Sequence, residues 1–192
     1  MRCPKFYSRI ILTGFMGCGK STIGKLLADE LKYKFLDLDN EIQNHHGLSV
    51  NEAILLFGEN EFRTIESKIL ETTLGNSNIV VSLGGGTLTK LWNRTIIRRA
   101  INTATVFLDA SFDTILTRCS TQDIIRPNLV NIVEAEKLYN RRQPIYRGFA
   151  DVTVSTDNET EQVIITKILD QFEIKLRDEY GYSEQSVRIA YQ

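Results

Sequence analysis

Several familiar protein classes lack support in this chain because their signatures are missing. Its three cysteines, Cys3, Cys18 and Cys119, are scattered and odd in number, so no disulfide framework is implied. Neither sign of charge dominates: 23 basic against 24 acidic side chains leave a net charge of −1. No global field exists to recruit nucleic acid or an anionic membrane, and a helicase or RNA-binding module starts at a disadvantage. No apolar run approaches the roughly 20 residues of a membrane span. The opening Met1–Phe6 carries no signal-peptide core, and a cytoplasmic protein is expected. Internal repeats and low-complexity tracts are missing too. The two histidines, His45 and His46, are adjacent; on a helix such neighbours cannot face one metal together, and they are read as solvent-side residues.

What remains is ordinary for a globular protein. The 192 residues, 42 % hydrophobic and 24 % charged, suit one domain with a sizeable core. Apolar β-rich runs recur at Ile10–Leu12, Phe35–Leu38, Ile79–Val81, Thr105–Leu108 and Val152–Val154. Helical patterns lie between them, marked by Leu26, Leu27 and Leu31, by Ile65 and Ile69, by Ile96, Ile97, Ala100 and Ile101, and by Ile115 and Leu116. A last one uses Ile164, Ile165, Ile168, Leu169 and Phe172. Strands separated by helices call for parallel crossovers and a three-layer α/β/α sandwich. In such sheets ligands bind beyond the carboxyl ends of the strands.

The first strand is followed by "GFMGCGKST". Gly14, Gly19, Lys20 and Ser21 satisfy G-x-x-x-x-G-K-[ST] at every fixed position, and Ile23, Leu26, Leu27 and Leu31 share one face of a helix behind it. Gly14, Gly17 and Gly19 let the backbone curl so that successive N–H groups point at one anion, with Cys18 among them. The helix opens at Lys20-Ser21-Thr22, where free amides and the dipole favour negative charge. Lys20 adds a mobile charge for the β- and γ-phosphates, and the Ser21 hydroxyl is placed for Mg²⁺. Cys18 is either a thiol with a pKa lowered by the helix start or a small spacer; the spacer reading is preferred. A nucleoside triphosphate is therefore the expected ligand.

Further polar groups follow the other strands. "DLDNEI" closes the second, with Asp37 and Asp39 on one side if the strand continues; a solvated acidic turn capping a helix near Asn40 is the alternative. "GENEFRTIESKIL" sets Arg63 three residues before Glu66, "VVSLGGGTL" places Gly84, Gly85 and Gly86 after the third strand, "IIRPNL" contains Arg126, and "NRRQPIY" contains Arg142. Arg63 could be no more than the helical ion-pair partner of Glu66. The ordered series of phosphate loop, D-x-D, F-R-x-x-E, G-G-G, R-P-x-L and R-x-P-x-Y closely resembles the shikimate kinases, over about residues 8 to 172.

That resemblance implies a nucleoside-monophosphate-kinase-like fold with a five-stranded parallel sheet. It also implies transfer of the ATP γ-phosphate to the 3-hydroxyl of shikimate, a step of aromatic amino-acid (chorismate) biosynthesis. Asp39 would hold the acceptor hydroxyls and take the proton, and Asp37 would orient Mg²⁺ through water. Arg63 and Arg142 would clamp the substrate carboxylate, with Gly84, Gly85 and Gly86 against the ring. Arg126 would reach the reacting phosphate from a lid at 118–131, and Arg118 corresponds to the adenine-stacking arginine at the lid's start. The expected layout is one kinase domain over 1–176, acting as a monomer on ATP and shikimate, then a poorly ordered extension over 177–192. Asn128 and Leu83 depart from the family pattern, which commonly has an apolar residue and a threonine there. Two other readings remain open: another small P-loop kinase, acting on gluconate or a nucleoside monophosphate, and a nucleotide-binding protein that no longer transfers phosphate.

Overall fold

The computed structural model describes residues 7–120 and 131–180. Strands β1 (Arg9–Thr13), β2 (Lys34–Asp37), β3 (Ile79–Ser82), β4 (Thr103–Asp109) and β5 (Val152–Ser155) form one sheet in the order β2-β3-β1-β4-β5. All neighbouring pairs are parallel. β3 is buried at every position and β1 and β4 at all but their ends, whereas edge strand β5 alternates buried and exposed residues. That contrast follows from layering: the middle of a parallel sheet is covered on both faces, so its strands read as continuous apolar runs.

Among the described residues, eight helices connect and cover the strands: α1 (Lys20–Leu31), α2 (Leu38–His46), α3 (Val50–Phe57), α4 (Glu59–Leu74), α5 (Leu91–Arg99), α6 (Phe112–Ser120), α7 (Ile132–Phe149) and α8 (Glu161–Tyr180). A 3-10 turn, Thr87–Thr89, precedes α5. From β1 the chain crosses over β3 to reach β2; every later crossover runs the opposite way along the sheet. Right-handed crossovers therefore put α1 on one face and the connections that follow β2, β3 and β4 on the other. The packing agrees: α1 meets α8, α4 meets α2 and α5, and α7 meets β4. The core gathers Ile10, Leu12, Val80, Val106 and Phe107 of the sheet with Leu27, Leu70, Ile168 and Phe172 of the helices.

The five apolar runs are strands, with one shift: β2 ends at Asp37, and Leu38 opens α2. Asp37 is the N-cap of that helix, its Oδ1 accepting from the Asp39 backbone N–H at 3.1 Å. The two aspartates thus belong to a strand end and a helix start rather than to one continued strand. Three helical assignments need correction as well. Leu26 is 41 % exposed while Ile23, Leu27 and Leu31 carry the buried face of α1, and Ile101 lies beyond α5 with 76 % exposure. α8 continues past Leu176 to Tyr180; the rest of the expected extension, 181–192, lies outside the described residues. His45 and His46 are exposed in the last turn of α2.

Candidate active site

The strand register fixes the site. Leu12 and Asp37 both pair with Ser82, so the carboxyl ends of β1, β2 and β3 lie level. The phosphate loop, the start of α2 and the triple glycine consequently leave the sheet side by side. In the phosphate loop, Gly14, Gly17 and Gly19 have φ of 144°, 77° and 102°, the region open to glycine. α1 then starts at Lys20 without a side-chain cap, which leaves its first amides to a ligand. Lys20 Nζ donates to the Gly14 and Phe15 carbonyls at 2.9 Å each, holding the loop closed around its own ammonium. Ser21 Oγ donates to Asp37 Oδ2 at 2.9 Å, which joins the head of α1 to the end of β2. Cys18 is buried and packed, its Sγ 2.7 Å from where a Gly14 Cβ would stand, as the spacer reading requires.

A cavity of about 460 Å³ runs along this edge, lined by residues 16–23, Asp37, Asp39, Ser82 and Leu83, and at its other end by Arg118, Thr156, Glu159, Glu161 and Ile164. Arg118 is held through its N–H edges: Nη1 donates to Thr156 Oγ1 at 3.0 Å and Nη2 to the Thr156 carbonyl at 2.6 Å. Thr156 and its neighbours had no motif to mark them; a strand-end position on β5 was the only signal.

The triple glycine brings three predicted residues together. A Cβ on Gly84 would stand 2.7 Å from Asp39 Oδ1, one on Gly85 would stand 3.5 Å from Arg142 Nη1, and one on Gly86 would collide with Arg63 Nη2. At Gly84 or Gly86 a side chain would force Asp39 or Arg63 to shift, whereas Gly85 has ordinary van der Waals room beside Arg142. Arg63 and Arg142 do not line the cavity itself; they meet it through this turn, behind Asp39. Tyr146 explains the last letter of R-x-P-x-Y. Buried on α7, it donates its hydroxyl to the Gly85 carbonyl at 2.5 Å and packs against Phe107. Burial pushes its phenol well above the ordinary range, so it stays a donor.

Arg63 does pair with Glu66, Nη1 lying 3.0 Å from both carboxylate oxygens, and more loosely with Glu59 at 3.4 Å. Glu66 is fully buried, and it also accepts from Thr87 Oγ1 at 2.8 Å and Asn93 Nδ2 at 3.3 Å. Sequence reasoning missed Thr87, Asn93 and Ser67, because nothing distinguishes a buried neutral polar residue from a surface one in the sequence. The Nε of Arg142 is buried with no hydrogen-bond partner among the described residues.

Asp39 is the most perturbed acid of the site. Burial, then repulsion from Asp37, lifts its carboxyl from 3.8 to about 6; Lys20 and Arg63 pull the other way, and Glu66 adds to the rise. Arg126 and the lid positions 121–130 lie outside the described residues.

The sequence profile described as shikimate kinase matches residues 16–173. A curated shikimate kinase of Persephonella marina is 38 % identical over 161 residues, covering 83 % of this chain and 96 % of that protein. The structure of a shikimate kinase from Acinetobacter baumannii in complex with shikimate superposes with a TM-score of 0.78 at 30 % identity, over 91 % of this chain and 96 % of that one. A gluconokinase from Sinorhizobium meliloti reaches a TM-score of 0.60 at 18 % identity, over 92 % and 97 %, a likeness of fold alone. The phosphate loop, the aspartate beside it and the arginines around the triple glycine therefore sit in a fold and a sequence shared along nearly the whole chain: it belongs to the shikimate kinase family.

Proposed function

We propose that the chain transfers the γ-phosphate of ATP to the 3-hydroxyl of shikimate, giving shikimate 3-phosphate and ADP. The supporting observation is the triple glycine: a Cβ on its three residues would meet Asp39, Arg142 and Arg63 in turn, on the strand edge that carries the phosphate loop. An acceptor with one carboxylate and several hydroxyls needs cationic forks at one end and a hydrogen-bond acceptor at the other, and the cluster has both.

In this reading Arg63 and Arg142 take the carboxylate; the buried, unpaired Nε of Arg142 is a donor awaiting such a partner. Asp39 holds the reacting hydroxyl and accepts its proton. A carboxyl raised to about 6 is a stronger base than an ordinary aspartate and is still mostly ionised at neutral pH. The amides of Gly17 to Ser21 hold the phosphates, and Lys20 exchanges its loop carbonyls for the β- and γ-phosphoryl oxygens. Ser21 and Asp37, hard oxygen donors 2.9 Å apart, suit Mg²⁺, with Asp37 acting through water. When bound, that ion neutralises charge on the phosphoryl oxygens. Arg118 stacks on the adenine, and Arg126 supplies positive charge to the transferring group. Positioning and charge neutralisation supply most of the acceleration, because phosphoryl transfer leaves the protein little covalent chemistry.

The test is a coupled ADP-release assay with shikimate, gluconate, AMP and CMP offered in turn. Turnover with shikimate alone is expected. Preferred turnover of gluconate or a nucleotide would overturn the acceptor, and ATP binding without transfer to any of them would favour a non-catalytic protein.

A further inference from the structure

The chemistry of Arg63 extends one layer deeper than its salt bridge. Its guanidinium is held among three neighbours: Nη1 faces Glu66, while Nη2 meets the exposed Glu59 at 3.4 Å and faces Gly86, the turn that adjoins Asp39 through Gly84. How much of the fork remains for a substrate carboxylate depends on how strongly Glu66 claims it. A carboxylate with 1 % exposure and no other donors would draw the whole fork onto itself. Here two neutral groups share it: Thr87 Oγ1 and Asn93 Nδ2.

Asn93 is the residue this arrangement cannot replace. It has no solvent exposure, and it reaches Glu66 from the first turn of α5. Nδ2 donates to Glu66 Oε2 at 3.3 Å and to the Thr87 carbonyl at 3.0 Å, while Oδ1 accepts from Ser67 Oγ at 2.6 Å. Turning the amide over would set its oxygen against two acceptors, so the chemistry fixes its orientation. Ser67 also lies 2.8 Å from the Arg63 carbonyl, and its single proton serves chiefly the shorter contact. Two donors and an acceptor in one short side chain describe asparagine: aspartate cannot donate, and leucine does neither. The same amide thus ties together Glu66 and Ser67 of α4, the turn that follows the triple glycine, and α5.

We propose that Asn93 is a positioning residue for the acceptor site: by holding Glu66, it keeps Arg63 aimed at the substrate carboxylate. The proposal rests on the acceptor reading above. It is tested on the full chain by calorimetric binding of shikimate, and separately of ADP, to the unmodified protein, Asn93→Leu, Arg63→Ala and the double variant. Asn93→Leu should weaken shikimate binding about tenfold, leave ADP binding unchanged, and cause no further loss once Arg63 is gone. Thr87→Val, which removes the other neutral donor and keeps the shape, should act in the same direction more weakly and also only through Arg63; it serves if Asn93→Leu does not fold. Equal losses with and without Arg63, equal losses for ADP, or no loss from either variant would overturn the role of Asn93 alone. No shikimate binding by the unmodified protein would overturn the acceptor reading, and this role with it.

Discussion

Gly86 and Asp39 show how single atoms set this site. Gly86 has φ of −98°, which any residue adopts, so its need for glycine comes only from Arg63 pressing on it. Gly86→Ala should fold normally and raise the shikimate KM about tenfold, equivalent to ~1.4 kcal/mol, with the ATP KM unchanged. Steady-state kinetics with each substrate varied check this. Asp39 carries an opposite cost. Its folded pKa, about 6, lies above 3.8, so its charge destabilises the fold. That penalty is absent below pH ~4, grows between the two values and is fully present above pH ~6. Asp39→Asn should therefore abolish turnover yet raise stability at pH 7 by on the order of 2–3 kcal/mol, a gain that vanishes near pH 3.5. Denaturant titrations at both pH values decide it. Unmodified kcat/KM should fall as pH drops through about 6, where Asp39 gains its proton. At this scale the charged residues were legible because each stood in a short motif. Asn93, Thr87 and Ser67 were not, since burial alone gives them a role.

Among the elements, strands were easier to read than helices for a physical reason. A strand covered on both faces must be apolar along its covered middle, and Ile10–Leu12, Ile79–Val81 and Val106–Leu108 are. α3 escaped because its inward face, Val50, Ala53 and Ile54, runs into outward apolar residues that blur the period: Leu55, Leu56 and Phe57 are 86 %, 67 % and 42 % exposed. Its start was written in Ser49-x-x-Glu52, a capping box that the structure forms in both directions. α7 escaped because Pro144 lies inside it, and only Ala135, Tyr146 and Phe149 of its eighteen residues are buried. Helix propensity argues against such a segment; packing against β4 and the turn after the triple glycine overrides it. Tyr146 is the pin of that packing. Tyr146→Phe would leave the Gly85 carbonyl without its hydroxyl donor, at a cost of about 1–2 kcal/mol in stability. Because α7 also carries Arg142, the shikimate KM should rise as well. A thermal melt paired with kinetics checks both; a stability loss with no change in KM would leave Tyr146 a purely structural residue.

At the scale of the whole molecule, one parallel sheet gathers the nucleotide and acceptor groups on a single edge. Ligand binding should then report on global stability. ADP with Mg²⁺ at a hundred times its Kd should stabilise the folded chain by about 2.7 kcal/mol. Lys20→Met should lose much of that gain and about a thousandfold in turnover, ~4 kcal/mol of barrier. Melting curves with and without nucleotide read the first, a coupled assay the second. No helix among the described residues is long and apolar enough to cross a membrane, in keeping with the lack of long apolar runs in the sequence. The central claim is that the phosphate cradle and the Asp39, Arg63 and Arg142 cluster form one site with fixed geometry. The most direct measurement is phosphorus–proton correlation NMR on the product of the chain with ATP and shikimate. The account predicts one phosphate ester, coupled to the ring proton at carbon 3. An ester on another hydroxyl, or shikimate left unphosphorylated, would contradict it.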